Sequence, residues 1–190
     1  MTSADRSKWN ETHRGKPAGD PEPFVVKMLP LLRHGGLALD VAAGRGRHAL
    51  ALARAGMRVV AADFSAVAIR TLADLAGSER LPIWPVVADF DKFAFRDQSF
   101  DVIVNVNFLD RALFADFARA LKPGGILIAE TFLIDQAEIG HPKDPRFLLK
   151  RYELRELIAG LELLRYREGL VEYPDSLRAW RASAVARRKS

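Results

Sequence analysis

The feature that most constrains this chain is a glycine-containing turn between an apolar strand and a helix, at Leu37–His48 (LALDVAAGRGRH). The apolar stretch reaches Asp40 just before the glycines, and a second apolar stretch ends in another acid, Asp63. A strand, a glycine turn, a helix and a second strand ending in an acid are typical of a nucleotide-type cofactor site at the carboxyl edge of a parallel sheet. The sequence therefore predicts an α/β fold.

Two classes of cofactor compete for this turn. Gly44–Ala49 (GRGRHA) matches the dinucleotide fingerprint G-x-G-x-x-[GA], but a pyrophosphate at the helix N-terminus would lie close to the Asp40 carboxylate, and like charges repel. S-adenosylmethionine instead brings an ammonium group that Asp40 attracts and ribose hydroxyls that can donate hydrogen bonds to Asp63. Gly44 and Gly46 would let the backbone approach the ligand without a Cβ in the way. The charge of Asp40 therefore favours the methyl donor over a nicotinamide cofactor.

The rest of the chain continues the alternation of strands and helices. The predicted strands are Leu37–Val41, Arg58–Ala62, Ile83–Ala88, Asp101–Val106, Ile126–Thr131, Leu161–Glu168 and Ala179–Ala186. The third strand contains Pro85, which cannot donate to a sheet ladder, so we expect it at the edge of the sheet. Ser65 is a plausible N-cap for the helix that follows the second strand. Asp89 is expected to accept a hydrogen bond from an adenine amino group.

These residues together resemble the class I S-adenosylmethionine-dependent methyltransferases. Asp40–Gly46 stands where that family has its glycine-rich first motif, and Leu121–Gly125 (LKPGG) looks like its turn before the fifth strand. Leu39–Ala53 looks most like the small-molecule branch that includes tellurite-resistance and thiopurine methyltransferases. The resemblance implies a Rossmann-like, doubly wound, three-layer αβα fold with seven strands in the order 3-2-1-4-5-7-6, the last of them antiparallel.

The resemblance also implies a set of site residues. The expected cofactor-binding residues are Asp40, Ala42, Ala43, Gly44, Gly46, His48, Asp63, Phe64, Ser65, Asp89, Phe90 and Asn105. Either Phe64 or Phe90 would lie against the adenine ring. One position departs from the family pattern, because Ala42 replaces the usual first glycine. A methyl group is tolerable there only if φ stays negative.

Composition limits the remaining choices. With 190 residues and ordinary globular composition, the chain is expected to form a single methyltransferase domain over residues 24–190, preceded by an N-terminal arm over residues 1–23. It has no cysteine, which excludes a thiolate metal site and a cysteine nucleophile. No stretch has the length of a membrane span or the apolar core of a signal peptide, so a cytoplasmic location is expected. The net charge of +5 is dispersed, and nucleic acid is an unlikely partner.

The acceptor side of the reaction is less constrained. We expect direct methyl transfer to a small molecule with a thiol, an oxyanion or a similar nucleophile, and no resident metal ion. Candidate acceptor-binding residues are Trp9, Arg14, Arg47, Asn107 and Arg111, and His13 is the candidate general base. By resemblance to thiopurine-type enzymes, the arm that carries Trp9 and His13 covers the cofactor. Two alternatives stay open: a module that binds the nucleoside without catalysis, and an RNA or protein methyltransferase. Asn105–Phe108 (NVNF) lacks the prolines of amino-group methyltransferases, and the oligomeric state is open.

Overall fold

Seven strands form one sheet in the part of the chain that the computed structural model describes, which is residues 3–92, 94–173 and 177–189. The strands are β1 (Leu37–Val41), β2 (Arg58–Asp63), β3 (Ile83–Val87), β4 (Phe100–Val106), β5 (Leu121–Phe132), β6 (Glu162–Glu172) and β7 (Arg178–Arg187). Their order is β3-β2-β1-β4-β5-β7-β6, and β7 runs antiparallel to both of its neighbours. The predicted strand order is therefore confirmed.

The helices lie mostly between the strands along the chain. They are α1 (Ser3–His13), α2 (Pro23–Val26), α3 (Arg47–Arg54), α4 (Ala66–Ser78), α5 (Leu113–Ala120), α6 (Gln136–Ile139) and α7 (Glu153–Leu157), with 3-10 turns at Leu29–Leu31 and Pro145–Phe147. No helix of the described residues combines the length and the apolar character that a membrane crossing requires. The apolar residues of Phe24–Arg33 favour a single helix that bends at Pro30, but α2 ends at Val26. Pro30 lacks an amide hydrogen, and only a short 3-10 turn forms around it.

The packing divides the described chain into two compact units. The first unit runs to Arg96 and includes Phe100–Val104. Within it, β2 pairs in parallel with β1 on one side and with β3 on the other. β3 is an edge strand, as its proline predicted, and Pro85 lies opposite Ala61. Buried apolar side chains on both faces of β1 are what a parallel strand covered by helices requires.

The second unit contains Asp97–Ser99 and the described residues from Asn105 onward. Its centre is the antiparallel set β5-β7-β6, covered in part by the apolar side of α5, where Phe114 and Phe117 meet edge to face. The sequence predicted that this strand begins at Ile126, but β5 begins at Leu121. Gly124 keeps a left-handed φ of 76°, as a turn requires, while Gly124 and Gly125 exchange backbone hydrogen bonds with Arg188 beyond the end of β7.

Candidate functional site

The glycine turn after β1 is built from residues with left-handed backbone conformation. Ala42 has φ 51°, Gly44 has φ 55° and Gly46 has φ 85°. The condition that a methyl group at position 42 requires a negative φ is therefore wrong, because Ala42 adopts the left-handed conformation. The turn keeps the geometry that a glycine would give it, and the alanine side chain bears a cost of about 1–2 kcal/mol for that conformation. The amide of neighbouring Ala43 donates to the Ala62 carbonyl, which fixes the turn against β2.

The absence of a Cβ at Gly44 and Gly46 also allows close contacts with other side chains of the protein. A Cβ on Gly46 would lie 2.2 Å from Cδ1 of Leu72, so this glycine lets α4 pack closely against the turn. A Cβ on Gly44 would lie 3.2 Å from Cε1 of His13. Gly44 therefore lets the N-terminal arm approach the turn. The His13 and Leu72 side chains lie against these glycines, and the expected role of both glycines in cofactor binding stays a prediction.

Asp40 is the most distinctive group in the turn. Its side chain is buried, and Oδ2 accepts a hydrogen bond from the amide of Ala49 at 2.9 Å. Oδ1 has no hydrogen-bond partner among the described residues. Burial raises the pKa of Asp40 to about 7, with a smaller lowering contribution from the Ala49 hydrogen bond. A buried carboxylate oxygen without a partner is costly. A ligand with an ammonium group would satisfy it, so the residues present fit S-adenosylmethionine.

Asp63 ends β2 and organises the next turn. Oδ2 accepts from the amide of Gly44 at 2.7 Å, and Oδ1 accepts from the amide of Ser65 at 2.7 Å. Each carboxylate oxygen has two acceptor sites, so both can still accept from ligand hydroxyls. Ser65 caps α4 as predicted, because its hydroxyl accepts from the amide of Ala68 at 3.2 Å. The carboxylate therefore faces the glycine turn and the start of α4 together.

The aromatic candidates lie after β2 and β3. Phe64 is buried, and the guanidinium of Arg6 lies 4.4 Å above its ring. Phe90 is also buried and stacks on Phe95, with ring centroids 6.2 Å apart. Asp89 accepts from the amide of Asp91 at 3.3 Å. The face of Phe64 that Arg6 covers is thus occupied by the N-terminal helix.

The two residues that follow Gly46 hold the segment that precedes α2. Arg47, which was expected at the acceptor, donates to Glu22 at 3.1 Å and to the Asp20 carbonyl at 3.4 Å. His48 is buried, and its Nε2 accepts from the amide of Glu22 at 3.2 Å. Burial lowers the pKa of His48 to about 3, so the ring is neutral. Arg47 therefore forms an ion pair within the protein and is not a free cation.

The N-terminal helix α1 lies across the glycine turn and the start of α4. Asn10 accepts from the Ser65 hydroxyl at 2.8 Å and from the amide of Val67 at 3.3 Å. Trp9 stacks on His13, as their spacing of four predicted, with centroids 6.0 Å apart. Sequence reasoning missed Asn10, because nothing in a polar helix marks one amide as a cap for a helix 55 residues away.

His13 is placed poorly for the role of general base. Its Nδ1 lies 2.8 Å from a guanidinium nitrogen of Arg45, which can only donate. In the neutral ring the proton then resides on Nε2, and no nitrogen is free to accept another. Burial, as the largest cause, lowers the pKa of His13. Arg14 is exposed and pairs with Glu11 at 3.3 Å. The geometry gives His13 the role of holding the arm on the turn.

In the second unit, the end of β4 carries two asparagines. Asn105 is buried and donates to the Phe108 carbonyl at 3.2 Å, while its Oδ1 has no hydrogen-bond partner among the described residues. Asn107 has φ 59° and accepts from the guanidinium of Arg181. Arg111, expected at the acceptor, pairs with Glu153 at 2.6 Å and donates to the Leu148 carbonyl. Arg111 therefore braces α7 and is not available as a free cation.

A buried polar cluster on β5, β7 and β6 escaped the sequence analysis. Arg181 is 4% exposed, and its guanidinium lies 3.9 Å above the ring of Phe132. Two residues further along β7, Ser183 donates to buried Glu130, which also pairs with Arg167 at 3.1 Å. The signal was an arginine and a serine on the inward side of an alternating apolar strand. No group of three or more histidine and acidic side chains in the described residues could hold a metal ion.

Comparison with known proteins identifies the fold and the family. A family model described as "Methyltransferase domain" matches residues 38–125. A demethylmenaquinone methyltransferase of Thermobifida fusca is 39% identical over 101 residues, covering 50% of this chain and 42% of that protein. Its counterpart in Corynebacterium glutamicum strain ATCC 13032 is 32% identical over 167 residues, covering 83% of this chain and 66% of that protein. The chain thus spans about half to two thirds of the length of these relatives.

Solved structures agree on the fold. TehB from Haemophilus influenzae has a TM-score of 0.75 and 22% identity, covering 87% of this chain and 61% of that one. A SAM-dependent methyltransferase from Aquifex aeolicus has a TM-score of 0.68 and 19% identity, covering 97% of this chain and 98% of that one. At these identities the likeness concerns the fold. Together with the family match, the sheet order and the Asp40 turn, it shows that this chain belongs to the class I S-adenosylmethionine-dependent methyltransferases.

Proposed function

We propose that this chain transfers a methyl group from S-adenosylmethionine to a small-molecule acceptor with a negatively charged nucleophilic atom. The observation that carries the cofactor half is the buried Asp40 carboxylate, whose Oδ1 lacks a hydrogen-bond partner among the described residues. Asp40 would hold the ammonium group, directly or through water. Asp63 would accept from the ribose hydroxyls, and Asp89 from the adenine amino group. Phe64 or Phe90 would pack on the adenine ring.

The proposed reaction requires little from the protein beyond binding and orientation. The bound cofactor supplies a methyl group on a positively charged sulfur, and that group is already activated for in-line attack. The side chains must hold the acceptor atom in line with the methyl carbon and exclude water. An acceptor that arrives as an anion needs no general base. This agrees with a His13 whose Nδ1 is engaged by Arg45.

Arg181, Asn107 and Phe132 support the acceptor half of the proposal. Asn107 follows β4 and Phe132 ends β5, and ligands of open α/β sheets bind outside the carboxyl ends of the strands. A buried guanidinium on an aromatic ring is suited to an anionic oxygen carried by a flat molecule. The relatives are named for demethylmenaquinone, a quinone-type acceptor, and so favour a flat ring-bearing acceptor over a small thiol.

We further propose that the N-terminal arm covers the bound cofactor. Arg6, Asn10 and His13 reach Phe64, Ser65 and Gly44, which are three of the expected cofactor-binding residues. Because α1 is polar and holds the turn by few contacts, it can shift to admit a ligand and then return.

Methyl transfer from labelled S-adenosylmethionine tests the proposal. A panel of phenols, reduced quinols and small thiols is offered, and labelled product is counted. We expect the phenols or the reduced quinols to be methylated, and not the thiols. Arg181→Gln should raise KM for the acceptor at least tenfold, while leaving the dissociation constant for S-adenosylhomocysteine unchanged.

Arg178→Gln is the matched control, because Arg178 is exposed on the same strand. Exclusive methylation of thiols, or an Arg181→Gln variant that is folded and has the acceptor KM of the wild type, would contradict the acceptor assignment. Tight cofactor binding with no transfer to any acceptor would favour the noncatalytic module.

A further inference from the structure

His48 has one ring nitrogen committed to the backbone and the other directed toward Asp40. Nε2 accepts from the amide of Glu22 at 3.2 Å, so the single proton of the neutral ring resides on Nδ1. The ring is buried at the start of α3 and is therefore fixed from both sides. His48 is thus a donor of defined direction and carries no charge.

The unsatisfied oxygen of Asp40 lies close to that donor. Nδ1 of His48 lies 4.0 Å from Oδ1, which is too long for a direct hydrogen bond and is a separation that one bridging water spans. Oδ2 is already held by the amide of Ala49 at 2.9 Å. The carboxylate therefore has a fixed oxygen on α3 and a second oxygen that faces the imidazole.

We propose that His48 is a positioning residue that donates through one water to Oδ1 of Asp40, and so keeps this carboxylate ionised and oriented for the ammonium group of the cofactor. The inference rests on the proposed function for its consequence, but the contact itself concerns two side chains of this chain. The same imidazole holds Glu22, so the carboxylate and the segment before α2 share one support.

The charges around Asp40 leave room for such a donor to matter. Burial raises its pKa, Arg47 lowers the pKa, and the like charge of Asp63 raises the pKa. Arg47 is itself paired with Glu22, and this ion pair weakens the lowering effect of Arg47 on the pKa of Asp40. With a pKa of about 7 for Asp40, loss of one hydrogen-bond donor changes the ionised fraction at neutral pH directly.

Two isosteric substitutions separate the two contacts of the ring. In His48→Gln the side-chain oxygen can take the place of Nε2 and keep Glu22, while the donor toward Asp40 is lost. In His48→Asn the amide nitrogen can take the place of Nδ1 and keep that donor, while the Glu22 contact is lost. A purely structural role predicts equal effects from both.

The first readout uses the protein without cofactor. The carboxyl carbon-13 resonance of Asp40 is titrated by NMR from pH 4 to pH 9, with Asp40→Asn as the assignment control. We expect His48→Gln to raise the titration midpoint by about one pH unit and His48→Asn to leave it within about 0.3 of the wild type. Unchanged midpoints in both variants, or equal shifts in both, would overturn the inference.

The second readout is the affinity for S-adenosylhomocysteine between pH 6 and pH 9, measured by calorimetry. His48→Gln should bind about fivefold more weakly at pH 7 and nearly normally at pH 9, because the carboxylate is then largely ionised in every variant. An equal loss at both pH values would contradict a role through ionisation. If the wild type binds no S-adenosylhomocysteine at any pH, the proposed function fails, while the NMR titration still decides the His48 contact.

Discussion

At the scale of single residues, the turn after β1 contains a buried acid that lowers the stability of the fold. Asp40 is a buried acid whose pKa is raised to about 7, above the ordinary value of 3.8. Between pH 4 and pH 7 the unfolded chain loses this proton while the folded chain keeps it. The contribution of Asp40 to stability therefore falls as the pH rises through that window, and the full cost remains above pH 7. Such a cost is expected where a residue serves a ligand.

The substitution Asp40→Asn tests this cost directly. One pKa unit corresponds to about 1.4 kcal/mol, so at pH 8 the variant without cofactor should be more stable by about 2 to 4 kcal/mol. At pH 4 the gain should largely vanish. Urea unfolding at both pH values measures the effect, with the exposed Asp74→Asn as control. A variant that is less stable than the wild type at pH 8 would contradict this cost, because it would show that the fold stabilises the charged carboxylate by more than burial destabilises it.

Gly46 carries a prediction of the opposite sign. An alanine at this position would have to keep φ 85°, and its methyl group would overlap Leu72, whose Cδ1 would be 2.2 Å away. Gly46→Ala should destabilise the protein by roughly 2–4 kcal/mol through backbone strain and overpacking. Gly77→Ala in α4 is the control, since its Cβ meets nothing within 4 Å and alanine favours a helix. Thermal unfolding that ranks the two variants equally would refute this packing account.

At the scale of elements, α1 stays on the turn through polar contacts. Its sequence SADRSKWNETH has little apolar surface, so burial contributes little to its docking. Asn10 provides two hydrogen bonds to the start of α4, and His13 binds Arg45. An element held this way should open more readily than the strands beneath it.

Asn10→Ala should loosen α1 without unfolding the rest of the chain. Loss of its two hydrogen bonds is worth about 1 kcal/mol, which corresponds to roughly fivefold faster amide exchange within the helix. Hydrogen–deuterium exchange over residues 6–13 measures the change. Glu11→Ala is the control, because it removes only an exposed ion pair with Arg14. If both variants exchange alike, the Asn10 contacts do not hold the helix.

At the scale of the whole molecule, local sequence patterns predicted the features that depend on neighbouring residues. They did not predict which distant side chains pair. The edge position of β3 and the Ser65 cap follow from proline chemistry and capping preference, which act within a few residues. The strand order followed from the resemblance to a known family. The partners of Arg47 and Arg111 lie 25 and 42 residues away, so no local pattern contains them. The hydrogen bond from Arg181 to Asn107 joins residues 74 positions apart, so it was not predictable from a local pattern either.

The turn itself shows the same division. Its position between β1 and α3 was predictable from Gly44 and Gly46. The positive φ of Ala42 was not, because the surrounding packing imposes a conformation that alanine alone disfavours. Leu121–Gly125 belongs to β5 because Gly124 and Gly125 pair with Arg188. This partner lies near the end of the second unit's sequence, so no local pattern contains it.

The most direct test of the central claim is calorimetric binding of S-adenosylmethionine, S-adenosylhomocysteine, NADH and NADPH to the wild-type chain at pH 8. An ionised Asp40 beside the glycine turn attracts an ammonium group and repels a pyrophosphate. The account predicts saturable binding of the first two ligands at one site per chain, and no heat with the nicotinamides. Saturable binding of NADH or NADPH without binding of S-adenosylhomocysteine would contradict it.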